Sequence, residues 1–411
     1  MAGIGDVTIN RTIGGLGRIG ANADGICGLV ITGAAASGLA LGVAKRLGSL
    51  NQAKALGVDA SYDTTNSTRT YYHVSEFFRL NPKGVLWLML VAGSNSMTDI
   101  CLKTNAFAKR LLTEANGEIR CLGVAVHSET TAGAGLDADV LAAITNAQGL
   151  ADEEFTEHRP VDIVSEGIGY TGNATTATDL RTLGSRDITV VIGQDGSRTD
   201  AADYWASIGA VLGAYSRRGG VNESIGWVAK QNLSSEGEGV FLSAKLSDGV
   251  AVKDVPKADL DTLADKGYLF GIPYAGYAGI YWWGSPTCIS ITDDFAVIQN
   301  NSVLKKAVRI CRNVMLPNIQ RPLKVDAATG RLRADMKAHF EAEIRQAITK
   351  DMQGEFSDLS TLIVDPAYDE DNAPYPAINQ DNTLRFVIGI VPDGTAVEIV
   401  GQIGLQAVVT A

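Results

Sequence analysis

From 384 to 391 the apolar residues Leu384, Phe386, Ile388 and Ile390 occupy every second position, the repeat of a half-buried strand. Pro392, Asp393 and Gly394 then predict a turn. A second alternating run comes next, with Val397, Ile399, Ile403, Leu405, Ala407 and Val409 on one face. At about 3.3 Å per residue it could extend about 40 Å. Its one charge is Glu398, so it lacks the charges that usually protect an edge strand. Such a strand either folds onto its own sheet or completes a sheet in a neighbouring subunit.

The opposite end has a similar character. Val7, Ile9, Arg11 and Ile13 alternate before Gly14, Gly15, Gly17 and Gly20 loosen the backbone. A segment that buries so little alone gains order by pairing elsewhere. Between the two ends, short apolar runs at 29–32, 85–92, 119–126, 161–168 and 188–192 read as strands covered on both faces. They alternate with helical patterns at 38–47, 70–80, 98–114, 137–147 and 201–215. This predicts an α/β domain with a largely parallel sheet, in which 85–92 (VLWLMLVA) is the expected central strand.

In the 201–215 helix, Trp205, Ile208, Leu212 and Tyr215 form an apolar stripe, while Gly209 and Gly213 permit close approach of another element. Arg217, Arg218, Gly219 and Gly220 end it. The polar stretch 234–239 (SSEGEG) marks a lobe boundary, and the chain beyond it is richer in aromatics. Helices are expected at 302–315 and at 331–352, the latter burying Leu332, Met336, Phe340, Ile344 and Ile348. The organisation is therefore mixed α/β: an arm over 1–20, an α/β domain over 21–235, an α+β domain over 236–382 and a β-hairpin arm over 383–411.

Composition narrows the function. The chain has 411 residues, 45% hydrophobic and 20% charged, which excludes a disordered chain and allows two or three cores. A net charge of -11 argues against nucleic-acid binding as its main task. Cys27, Cys101, Cys121, Cys288 and Cys311 are scattered, without a CxxC pair, and read as reduced thiols in a cytoplasm. No stretch reads as a membrane span.

Gly15, Leu16, Gly17, Arg18, Ile19 and Gly20 spell GxGxxG, which raises the alternative of an α/β dinucleotide-dependent oxidoreductase. The adjoining ANADGICG is a poor helix opening, and no acidic residue closes a second strand about 20 residues on, where the fingerprint places it. His73, His127, His158 and His339 are dispersed and fit no zinc spacing. Asp293 and Asp294 read as a helix cap, and Glu153, Glu154 and Glu157 as a solvated helix end. No phosphate loop, nucleophile elbow or metal motif is present, so no catalytic, cofactor or metal residue is assigned. Lys305, Lys306, Arg309 and Arg312 make one helix face cationic, either as an ordinary solvated face or for docking on an acidic protein surface.

The segment 279–287 (GIYWWGSPT), the later ITDDFAVIQNNSVLKKAVRICRNV, the long helix, the extended segment near 362–365 and the closing VPDGTAVEIVGQIGLQ resemble the C-terminal domain of contractile tail sheath proteins. The closing piece is the most specific part: Pro392, Ala396, Glu398 and Ile399 fall where that family's last strand carries similar residues. The helix around Trp205 and its Arg217-Arg218-Gly219 end resemble the family's middle region. One departure is plain. The family often has Trp-Gly-x-Arg-Thr, whereas Trp283, Gly284, Ser285, Pro286 and Thr287 stand here.

The resemblance implies a structural sheath subunit, not an enzyme, that needs no cofactor. Copies would stack in rings around an inner tail tube, joined by arms that add strands to neighbouring sheets, and rotate from a long state to a short one. It makes Val7, Ile9, Ile13, Val397, Ile399, Ile403 and Leu405 arm anchors, and Lys305, Lys306, Arg309 and Arg312 the candidate tube contact. The partners implied are further copies of the chain, the tube protein, and baseplate and tail terminator proteins, with no nucleic acid and no membrane. The expected setting is the bacterial cytoplasm during assembly, then a virion tail or phage-tail-like particle.

Overall fold

The computed structural model describes residues 23–127, 135–198, 204–369 and 371–401. The chain order begins β1 (Cys27–Gly33), β2 (Ala44–Leu47), α1 (Leu50–Ala55), α2 (Ala60–Asn66), α3 (Thr70–Leu80), β3 (Leu86–Ala92), α4 (Met97–Cys101) and α5 (Ala108–Glu114). It continues with β4 (Cys121–Ala125), α6 (Ala138–Thr156), β5 (Asp162–Glu166), β6 (Ile188–Val191), β7 (Gly193–Asp195) and α7 (Ile208–Arg217). Then come β8 (Ala244–Leu246), α8 (Lys257–Asp265), β9 (Tyr268–Leu269), β10 (Gly271–Tyr274) and β11 (Tyr277–Trp282). The last elements are α9 (Ile298–Met315), α10 (Ala334–Asp351), β12 (Asp358–Val364), α11 (Ile378–Asp381) and β13 (Phe386–Val391).

The main sheet runs β2-β3-β1-β4-β5-β6-β9, parallel throughout except for β2. Each predicted apolar run became a strand because it is covered on both faces, and β1, β4, β5 and β6 are buried almost throughout. The centre is β4, not the 85–92 run, which lies second from the edge beside β2. Hydrophobicity records coverage of a strand, and a strand one place from the edge is covered as fully as the middle one.

Two helical expectations need correction. Residues 38–47 are not a helix: Gly42 has a φ of +71, which a helix cannot accommodate, and the chain turns into the antiparallel edge strand β2. The 98–114 helix is two helices. A Ser96–Asp99 capping box and the Asp139 carboxylate, which accepts from Met97 N and Thr98 N, pin α4 so that it ends at Cys101. Helix α7 begins later than expected because Trp205 O and Ala206 N are already bonded to Gln194 and Glu166. Its glycines serve as expected: the backbone of α3 packs directly on Gly209, and Leu80 on Gly213.

The predicted lobe boundary at 235/236 falls inside the first core. SSEGEG is a surface turn closed by a Ser235–Val240 bridge. After it, Phe241, Leu263, Phe270 and Trp282 bury against the sheet, which β9 extends beyond β6. The second core forms later, from α9, α10 and the antiparallel pair β12–β13, around Val303, Cys311, Phe340, Ile344 and Ile348.

Candidate assembly surface

The second core is incomplete on one side. Strand β12 packs over α10, while β13 has β12 on one edge and no strand on its other edge among the described residues. Beside β13 lies an open groove of about 890 Å³. Its walls are Phe386, Ile388 and Ile390 from β13, and Leu304, Val308, Cys311, Met315 and Leu316 from α9 and its end. Ile319 and Leu316 are largely exposed there. Ile388 and Ile390 are only partly buried against the second core, and Phe386 is exposed, so the groove between β13 and α9 stays open to a further apolar cover.

The chain after β13 does not return to fill this gap within the described residues. Residues 392–401 form no strand, so the second leg of the expected hairpin is absent up to 401. Val397 is 76% exposed, Ile399 89% and Val400 80%, values foreign to β-branched side chains in a finished fold. The other expected arm anchors, Val7, Ile9, Ile13, Ile403 and Leu405, lie outside the described residues. So does the glycine motif at 15–20. The first described elements beyond it are one short 3-10 turn, Ala23–Gly25, and then β1. A dinucleotide fingerprint needs the order strand, glycine turn, helix. Among the described residues, no group of three or more His, Cys, Asp or Glu is placed to hold a metal ion. The five cysteines are buried and unpaired.

The cationic face of α9 is corrected by the structure. Lys305 is buried and binds Asp162 Oδ1 and Asp187 Oδ1 at 2.5 Å each, and Val161 O at 2.9 Å. Lys306 bridges Asp24 at 2.9 Å and Glu355 at 2.6 Å, and Arg309 binds Asp24 at 2.8 Å. These three side chains therefore tie the second core to the amino ends of β5 and β6 and to the turn before β1. They are neither a solvated face nor a free docking surface. Arg312 alone of the four makes no ion pair among the described residues, and it borders the groove. Burial lowers the Lys305 pKa, but attraction to Asp162 and Asp187 outweighs it and the ammonium ends up above its ordinary value. Burial likewise raises Asp187, and Lys305 more than reverses that, leaving its carboxyl below the usual range. Sequence spacing missed this cluster because its partners come from distant elements, 49 residues away for Lys306 and Glu355, 143 for Lys305 and Asp162, and 285 for Arg309 and Asp24.

Two smaller readings resolve here. Glu154 is not at a solvated end; it is fully buried between Lys109 at 2.8 Å and Arg159 at 2.7 Å. Asp293 and Asp294 do not cap the helix: the residue before α9 is Val297, with no side-chain cap, and Asp293 Oδ1 instead accepts from Phe295 N in the turn ahead of it. The turn that carries Pro286 in place of arginine is tied from elsewhere: Arg181 Nη1 donates to Thr287 O, Ile289 O and Ala296 O.

The whole chain has solved counterparts. It matches a chain of the anti-feeding prophage baseplate with a TM-score of 0.63 at 15% identity, covering 99% of this chain and 100% of that one. It matches the contracted anti-feeding prophage helical sheath at 0.61 and 16%, with 99% and 100% covered. Against the contracted sheath complex of the extracellular contractile injection system PVC the values are 0.58 and 12%, with 99% and 98% covered. These likenesses establish a mixed α/β sheath fold. No curated protein matches in sequence. Family profiles described as "DUF2586, N-terminal domain" and "DUF2586, C-terminal domain" match residues 4–285 and 294–409, and the chain belongs to the DUF2586 family.

Proposed function

We propose that this protein is the structural subunit of a contractile sheath. Copies polymerise around an inner tail tube by exchanging terminal strands, and the polymer shortens to drive the tube through a target envelope. The observation that carries this reading is the mismatch in the second core: a β13 edge and an apolar groove lacking one strand, beside a tail whose apolar residues lack a sheet. Strand addition between copies would satisfy both at once, because main-chain bonds supply affinity and alternate side chains fill the groove. A heterologous contact of this kind, repeated by rotation and rise, builds a helix.

The fold shared with anti-feeding prophage and PVC sheaths supports the same reading, as does the contracted state of two of those matches. Shortening needs no nucleotide or metal, since two packings of the polymer that differ in energy suffice. In this reading the subunits assemble in the bacterial cytoplasm around a tube protein, between baseplate and terminator proteins, and end in a phage-tail-like particle. Val7, Ile9, Ile13, Val397, Ile399, Ile403 and Leu405 remain the proposed arm anchors. Of the proposed tube contacts, Arg312 alone keeps a charge free of ion pairs among the described residues. No helix among the described residues is long and apolar enough to cross a membrane.

Truncation after residue 396 tests this. The shortened chain should keep the thermal unfolding of the intact monomer, because the removed residues that are described bury nothing, yet form no tubes under the electron microscope. Tubes of ordinary length and width from the truncated chain would refute it.

A further inference from the structure

The C-terminal tail is exposed from Val397 to Gly401, but the residues before it are held. Asp393 accepts from Asn222 Nδ2 at 2.6 Å and from Ser357 Oγ at 2.7 Å. Asn222 lies just beyond α7, and Ser357 opens the β12 hairpin, so one carboxylate joins two parts of the molecule. Two residues on, Thr395 Oγ1 accepts from Gln299 Nε2 at 3.2 Å. Gln299 is buried at the start of α9, and its Oε1 accepts from Ser285 Oγ at 2.5 Å, which lies 3.3 Å from Ser224 Oγ. The relay Ser224–Ser285–Gln299–Thr395 thus runs from the first core to the tail. Beyond Thr395, residues 397–401 make no hydrogen bond to other described residues.

We infer that Asn222, Ser357 and Gln299 are positioning residues that fix the point and direction in which the C-terminal arm leaves the subunit. The inference rests on the arm-exchange reading. Two pins two residues apart constrain both position and heading, whereas one would leave the tail free to swivel. Pro392, with its fixed φ, holds the backbone just before the first pin. An arm aimed in advance loses less freedom when it enters a neighbour, and a root tied to both cores passes the subunit's rotation to the arm.

The test uses the full chain with Asp393→Ala and Thr395→Val together, and Thr395→Ser alone as the conservative variant that keeps the acceptor. Monomer melting temperature and the critical concentration for tube formation, by sedimentation, are measured beside the truncation after 396. We expect the double variant to melt as the parent does, while its critical concentration rises roughly tenfold, about the ordering cost of one or two side chains, and Thr395→Ser to stay near the parent. An unchanged critical concentration in the double variant, with truncation still abolishing tubes, would overturn the positioning role alone. A fall in monomer melting together with assembly would make the bonds merely structural and overturn it too. Tubes from the truncated chain would remove the arm reading and this inference with it.

Discussion

Replacing Lys305 with Met removes the cation shared by Asp162 and Asp187 and leaves both carboxylates buried, with side chains 4% and 7% exposed. Breaking a buried ion pair from one side typically costs about 3–5 kcal/mol, because the surviving charge is uncompensated. Here each survivor keeps other donors. Asp162 is still reached by Tyr215 OH at 3.0 Å and Ser302 Oγ at 3.1 Å, and Asp187 by Gln148 Nε2 at 2.8 Å and the half-exposed Arg186 Nε at 3.5 Å. That partial satisfaction places the expected loss at the lower end, about 3 kcal/mol. Adding Asp162→Asn and Asp187→Asn should recover more than half of it, since neutral amides do not need the ammonium.

The pH dependence carries a second signature. The depressed carboxyl of Asp187 contributes stability that is present above its unfolded value of 3.8 and is lost as pH falls through the lower folded value. The raised ammonium of Lys305 contributes stability that is present below 10.5 and is lost as pH rises through the higher folded value. Without Lys305 both limbs should flatten. Urea unfolding of the unassembled chain, monitored by fluorescence over a pH series, measures both effects. A loss under about 1 kcal/mol with unchanged limbs, the size of an exposed pair, would refute the buried seam.

Two further predictions concern the first core. Burial pushes the Glu166 carboxyl up to about 7, despite the amides of Ala206 and Val126 that it accepts from. Its folded value lies above the unfolded 4.5, so native proton binding contributes stability that fades as pH rises from 4.5 to about 7. Glu166→Gln should lack that slope, a difference on the order of 3 kcal/mol across the window; parallel stability curves for the two proteins would contradict it. Gly209→Ala places a methyl group into the His73 carbonyl, which is backbone and cannot swing away. It should cost at least about 1–3 kcal/mol, as overpacking does, in the same urea assay, and an unchanged midpoint would show that α3 and α7 do not pack this closely.

The legible part of this fold was what periodicity records. β1, β3 and β4 are nearly continuous apolar runs because two layers cover them, and α10 shows Phe340, Ile344 and Ile348 at helical spacing because one face is buried. What was not legible depends on partners distant in sequence or on single backbone conformations. The α9 cations looked like a free face because Asp24, Asp162, Asp187 and Glu355 come from other elements. β2 looked helical because only the left-handed turn at Gly42 separates the two outcomes. SSEGEG resembled a boundary since a tight polar surface turn and a linker have the same composition. The exposed tail, by contrast, was visible directly: Val397 and Ile399 alternate in a stretch with a single charge, and they lie in solvent in the single chain.

In the proposed assembly the edge of β13 that is unpaired among the described residues receives a strand from another copy. A cryo-EM reconstruction of the assembled tube, at a resolution that traces main chain, tests it most directly. The map should show a backbone from a neighbouring subunit, drawn from a terminal arm, hydrogen-bonded along Phe386–Val391 with apolar side chains in the groove facing Leu304 and Met315. A tube in which that edge stays unpaired, or is paired by the tail of its own subunit, would contradict it.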